Sequence, residues 1–321
     1  MASDFQSTVC ISGAVLMLLF SLMAVVLNSC LLIVLYKDRT KSLKSTTSLY
    51  VTSLAILHLL FGSVVSTAAA ESYITCAQDI EDTAHSISAF SRIFFSLLIR
   101  TENYVMLAFS VERLGNITYP VFHPRADKMK NTLIGLASIV VYSVGFSIFE
   151  IAAAQRWIRK LDLHFNVVIP LAATITLTAL LYKALRRFNS LYAEQNPCDS
   201  SSGKKSRCRT RLKKQILLSS AFIFVILLFA ISLLPYWNLL LYEVYCSNCA
   251  QHDWFFAAFR LCVAFTFLRT ALTPSIYYIR IPEFRKGVKM VFCGMFEEQS
   301  FRVKLFSRGK NSSGKVTVIY L

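Results

Sequence analysis

The chain has 321 residues, of which 55% are hydrophobic and 16% charged, and its formal net charge is +16. Soluble domains carry roughly 25% charged residues, and a mean hydropathy of +0.53 leaves too few polar side chains to cover a water-facing surface. This composition excludes a soluble globular enzyme and a disordered tail protein, and points to an all-α membrane protein. The basic excess does not indicate a nucleic-acid partner, because it is confined to alternate loops.

A membrane-spanning helix needs about 20 mostly apolar residues. Seven stretches qualify, at about 11–36, 46–70, 88–113, 132–154, 165–185, 215–242 and 253–280. Residues 1–10 form a short segment ahead of the first stretch. No basic residue precedes that stretch, and it is too long for a signal-peptide core, so it is expected to remain as a span. The loops after the first, third and fifth spans and the tail after the seventh hold four, three, ten and nine Lys or Arg. The opposite loops hold only Arg156, Arg159 and Lys160. The positive-inside rule therefore places the N-terminus outside and the C-terminus in the cytoplasm, facing anionic lipids. The long loop Arg186–Lys214 reads as a flexible basic linker.

Taken in chain order, the spans carry spaced landmarks. The first holds Asn28, and the second holds Leu54-Ala55 ahead of His58. The third carries Arg100 and Glu102 midway and ends in Glu112-Arg113, with Pro120 following. The fifth holds Pro170, and the sixth holds Phe229 and Pro235. The seventh ends in Thr273-Pro274-Ser275-Ile276-Tyr277. An arginine at the inner end of a membrane helix is costly unless it is paired or faces water. Alone, Arg113 reads as a snorkelling side chain. A proline removes a backbone hydrogen bond and bends its helix, which suits Pro235 and Pro274 to a two-state element. After Tyr277, residues 281–293 alternate basic and apolar, with Phe284 and Val288 opposite Arg285, Lys286 and Lys289. That pattern predicts a short amphipathic eighth helix on the membrane surface. Cys293 is a candidate palmitoylation site, and 294–321 read as a cytoplasmic tail.

In order and at these spacings, residues 11–295 resemble the rhodopsin-like (class A) family of G-protein-coupled receptors. The resemblance implies a seven-transmembrane helix bundle in the plasma membrane with no enzyme activity, and the residues themselves show no metal-ligand spacing and call for no cofactor. It implies a ligand taken from outside and a heterotrimeric G protein bound inside. The coupling and switch residues would be Glu112, Arg113, Pro120, Phe229, Pro235, Pro274 and Tyr277. When the sixth helix swings out, Arg113 would contact the inserted partner.

The departures from the family are informative. The family usually has an Asp at the position of His58, and that Asp joins a polar pocket that binds sodium. Other positions of that pocket are Asn28, Glu102, Arg269 and Thr273. The pocket has lost one carboxylate, gained another and gained a guanidinium. The expectation is that Glu102 pairs with Arg269, with His58 nearby, and that this built-in cation replaces sodium. Gln215 stands where some relatives carry an acidic partner for the third-span arginine, so raised basal signalling is expected. Asn103 replaces an apolar residue that packs on Pro170 and Phe229 in the family, and Leu233 replaces the usual Trp.

The family's outer disulfide is missing both halves, since Ser88 stands at one position and Gln155–His164 contains no Cys. The candidate bridges are Cys246–Cys249, or Cys10 to one of that pair. Phe95 occupies the amine-anchoring position, which argues against a biogenic amine ligand. The outer cavity would be lined by Phe94, Phe95, Leu98, Tyr236 and Trp237, and by Phe256, Phe259 and Arg260 from the seventh span. An apolar or weakly acidic ligand fits, with Arg260 as its carboxylate anchor. The terminal Val318-Ile319-Tyr320-Leu321 is a candidate PDZ ligand. The alternative reading is an ion- or proton-coupled transporter or channel, in which His58, Arg100, Glu102 and Arg269 would line a polar path.

Overall fold

The computed structural model describes residues 4–37, 46–78, 81–118, 125–153, 156–194, 203–246, 252–282 and 284–289. Among these residues there are only helices, and seven of them are long and apolar enough to cross a membrane. The first span is Asp4–Lys37. The second runs as Thr46–Leu60 and Ser66–Gln78, joined by a π-helical turn at Phe61–Val65. The third is Glu81–Thr118 and the fourth Arg125–Ala153. The fifth starts as Arg156–Leu161, passes through a π-helical turn at Asp162–Val168 and continues as Ile169–Glu194. The sixth is Gly203–Tyr245 and the seventh Asp253–Arg280.

Most helices run past the apolar stretches read from the sequence. The first begins at Asp4 rather than near residue 11, and the third begins at Glu81 rather than near residue 88. Residues 186–194 and 203–214, expected as linker, continue the fifth and sixth helices. Apolarity measures only the hydrocarbon thickness, whereas the i to i−4 ladder continues into water at little cost. Asp4 lies in the first turn, where its charge suits the helix N-terminus, and Thr8 Oγ1 donates to its carbonyl at 2.7 Å.

The third span is the hub and the most buried of the seven. It packs against the second, fourth and fifth spans and touches the sixth, while the first packs on the second and seventh. Phe95, Leu98, Ile99, Val105, Met106 and Phe109 put it in the core. The first and fourth spans are the least buried and expose Ile11, Leu18, Leu22, Leu133, Val141 and Ile148. Such aliphatic faces suit lipid, and helices satisfy their own backbone there.

The N-terminal part of the first span and the C-terminal end of the second are tied together by a Cys10–Cys76 disulfide. A Cβ on Gly13 would enter the ring of Tyr73, so only glycine allows this approach. At the opposite end, residues 284–289 are helical. Phe284 is buried and Val288 packs on the core, with Arg285, Lys286 and Lys289 exposed.

Candidate functional site

The geometry centres on charges held inside the bundle. Glu102 of the third span faces His58 of the second and Arg269 of the seventh, and none of the three is more than 2% exposed. Arg269 Nη1 donates to Glu102 Oε1 at 2.9 Å, and Arg269 Nη2 lies 2.7 Å from Glu102 Oε2 as an ionic contact. His58 Nε2 lies 3.1 Å from Glu102 Oε1. Phe61 and Phe229 flank the guanidinium, with its carbon 5.4 and 5.3 Å from their ring centroids. Cation–π contact of this kind lessens the cost of keeping a guanidinium out of water. Thr273 Oγ1 donates to the Arg269 carbonyl at 2.8 Å.

Two prolines explain two of the asparagines. Pro274 has no N–H to give the carbonyl of Thr270, and Asn28 Nδ2 donates to that carbonyl instead at 2.9 Å. Pro170 leaves a similar gap beside the π turn of the fifth span. Asn103 Nδ2 donates to the Asn166 carbonyl at 3.1 Å, and Tyr104 OH donates to the Phe165 carbonyl at 3.2 Å. The polar Asn103 therefore braces the third span to the break in the fifth. Asn103→Leu is expected to strand a buried carbonyl at a cost of about 1–3 kcal/mol. A lowered unfolding midpoint of the purified protein would report it.

Towards the C-terminal end of the third span, Arg113 is 2% exposed. Its Nε and Nη2 donate to Glu112 Oε2 at 2.9 and 2.6 Å, and Nη2 also donates to Thr47 Oγ1 at 2.6 Å. Glu112 Oε1 accepts from Thr46 Oγ1 and from Asn116 Nδ2. The arginine is thus held toward the second span, and its partners among the described residues include none from the sixth. Tyr277 is buried, and its hydroxyl has no partner among the described residues. Arg280 stacks on Phe224 of the sixth span, 4.0 Å from the ring centroid. Pro235 and Pro274 lie inside their helices, as does Phe229, which packs edge-on against Trp237.

In the opposite half of the bundle, Phe95 stands edge-on to Phe61 and Tyr236, and Tyr236 packs on Phe259. Leu98 is buried, and Phe94 is partly buried against the same core. Trp237 points elsewhere, toward Phe229, and its Nε1 has no partner among the described residues. Arg260 lies over the rings of Tyr73 and Phe256 at 4.5 and 5.3 Å, and Tyr73 OH donates to its carbonyl at 2.7 Å.

A second buried charge cluster was not read from the sequence. Arg100 is 1% exposed. It lies two residues from Glu102, roughly 200° around the helix, and so faces the fourth and fifth spans. Its Nε donates to Asp162 Oδ1 at 2.9 Å, Nη1 to Ser147 Oγ at 2.8 Å and Nη2 to Glu150 Oε2 at 3.1 Å. Asn166 joins through Asp162, Tyr142 donates to Asn166 Oδ1 at 2.6 Å, and the single Tyr104 O–H is shared between that oxygen, at 3.0 Å, and the Phe165 carbonyl. The structure thus brings His58, Glu102 and Arg269 together and keeps Arg100 in a separate cluster. The signal for that cluster was the acidic pair itself, Glu150 and Asp162, one beside each end of the short loop between the fourth and fifth spans.

The disulfide expected from Cys10 to Cys246 or Cys249 is corrected, because Cys10 pairs with Cys76. The second helix continues as far as Gln78, which brings Cys76 alongside the outer turn of the first helix. Cys246 is disulfide-bonded, and Cys249 lies outside the described residues. Pro120, Cys293 and the tail with Val318–Leu321 also lie outside them, as do the side chains of Ser88 and Gln215.

A bundle of seven membrane-length helices, with a buried arginine towards the C-terminal end of its hub helix, defines the class, a multi-pass membrane protein. The family model for the 7 transmembrane receptor (rhodopsin family) matches residues 27–277, and the chain belongs to this family. Its fold is similar to that in the crystal structure of squid rhodopsin, with a TM-score of 0.70 at 14% identity, over 92% of this chain and 90% of that one. A search of curated proteins returned no match.

Proposed function

We propose that this protein is a plasma-membrane receptor, with its N-terminus outside, that activates a heterotrimeric G protein through outward movement of its sixth helix. The observation that supports this most is the state of Arg113. The guanidinium is buried, neutralised by Glu112 and tethered to Thr47, so it is stored rather than exposed. Bending at Pro235 would open the inner face and free it for a partner helix. Its tethers come from the second and third spans alone among the described residues, so nothing described there restrains the sixth helix through Arg113. Raised basal signalling follows from that freedom.

The ligand expected is apolar and carries a carboxylate. The aromatic cluster of Phe95, Tyr236 and Phe259, which pack on one another, supports an apolar binding region for it. Arg260 is stacked on two rings and has no carboxylate partner among the described residues.

The test is basal G-protein dissociation across a panel of alpha subunits, at matched surface expression. The wild type should signal above untransfected cells on one subtype, and Arg113→Ala should abolish that signal. A wild type equal to untransfected cells across the panel would overturn basal signalling. A signal unchanged by Arg113→Ala would overturn the switch.

A further inference from the structure

The fold family implies a sodium ion in the polar pocket between the second, third and seventh spans, and the residues of this chain do not fit it. Sodium is a hard cation that takes oxygen ligands and needs negative charge around it. The pocket's single carboxylate, Glu102, already has both oxygens against one guanidinium, at 2.9 and 2.7 Å. Its Oε1 is also within 3.1 Å of His58 Nε2. The remaining faces of the guanidinium are covered by Phe61 and Phe229. The Thr273 hydroxyl donates to the Arg269 carbonyl, and Asn28 Nδ2 to the Ala24 and Thr270 carbonyls. Their oxygens, Asn28 Oδ1 being without a hydrogen-bond partner among the described residues, are neutral and supply no charge to offset a second cation beside Arg269. Adding sodium would place a second positive charge beside Arg269 where no more than 2% of any of the three side chains is exposed. Displacing Arg269 to make room would leave a buried arginine without its carboxylate, which is worse.

We propose that the Arg269 guanidinium stands where the family holds sodium, so that the resting state is kept by a covalently attached cation and does not respond to sodium. The difference is physical. A bound ion exchanges with the medium and falls in occupancy as its concentration falls, whereas a side chain is always present at one copy per site. The second span no longer needs a carboxylate, which accounts for His58. This inference rests on membership of the family and on the pocket geometry. It does not rest on G-protein coupling.

The experiment compares unfolding midpoints of the purified full-length protein in sodium chloride, potassium chloride and N-methylglucamine chloride at equal ionic strength. The wild type should give the same midpoint in all three. Arg269→Asn leaves Glu102 as an uncompensated carboxylate. Its midpoint should fall in N-methylglucamine and recover in sodium by roughly 2–4 °C, since a ligand bound only by the folded state stabilises it. A wild-type midpoint higher in sodium than in both potassium and N-methylglucamine would overturn the proposal. So would an Arg269→Asn protein that folds and shows no sodium-specific recovery. If Arg269→Asn does not fold, the wild-type comparison decides alone. The readout needs no G protein, so failure of the coupling assay and failure of this test are separable.

Discussion

Glu102→Gln is expected to be among the most damaging single changes in the protein, at a cost of about 3–5 kcal/mol. The amide keeps the shape of the side chain and removes its charge. Arg269 then stays buried at 1% exposure with no carboxylate partner among the described residues. The His58 contact at 3.1 Å can be kept by the amide, whose oxygen accepts from Nε2–H or whose nitrogen donates to Nε2 according to the tautomer. Domains are stable by only about 5–15 kcal/mol, so a loss of this size takes most molecules out of the folded pool. Surface expression by flow cytometry should fall to a small fraction of wild type.

The informative comparison is the pair of substitutions. Glu102→Gln with Arg269→Gln removes both charges and leaves two amides that can bond one another. Replacing a whole buried ion pair is far less costly than removing one partner. The double variant should therefore recover part of the expression that the single variant loses. A double variant no better than Glu102→Gln would show that the two residues are not coupled. Wild-type expression of the single variant would show that the carboxylate is not needed at all.

Much of the bundle is legible in the sequence because the membrane imposes a length on every apolar run. The same logic makes Glu102 and Arg269 readable as partners. Both lie deep within spans, and opposite charges at that depth have few alternatives to meeting. The asparagines are legible in part. Asn28 and Asn103 are plain polar residues in apolar runs, but their meaning depends on which carbonyls Pro274 and Pro170 leave free. For Asn103 that in turn depends on the π turn at Asp162–Val168.

Helix ends and the outer disulfide are not legible in the same way. Water-side turns carry no hydropathy signal, so Asp4 and Gln78 are invisible as helix limits. The partner of Cys10 depends on how far the second helix climbs, and the sequence does not encode that locally. Arg100 fails for a related reason. Asp162 lies outside the apolar stretch of the fifth span and reads as a loop residue. The helix starting at Arg156 and the π turn carry it to within 2.7 Å of the Arg100 guanidinium.

That cluster carries the second large effect. Arg100→Met should cost about 3–5 kcal/mol, because two carboxylates in one partly buried site lose the guanidinium that bonds both of them, with the charge of Arg159 left to act on Glu150. Glu150 and Asp162 are 21% and 16% exposed, so water can relieve some of the penalty, and Arg100→Met should fall at the lower end of that range. Arg100→Lys keeps the charge and still should not restore the wild type. The guanidinium spreads its bonds over Asp162, Ser147, the Ser143 carbonyl and Glu150, in four directions fixed by a planar fork. Its plane also lies over Phe146, 4.5 Å from the ring centroid. An ammonium is a compact point charge and can serve only part of that set. Unfolding midpoints should therefore order as wild type, then Arg100→Lys, then Arg100→Met. Adding Glu150→Gln and Asp162→Asn to Arg100→Met should raise the midpoint again, since no unpaired charge then remains. Equal midpoints for wild type and Arg100→Lys would mean that charge alone matters and the fork does not. A triple variant no better than Arg100→Met would mean that the two carboxylates are not what the arginine neutralises. The Glu102 and Arg100 substitutions should add, because the two clusters use opposite faces of the third helix and share no partner among the described residues.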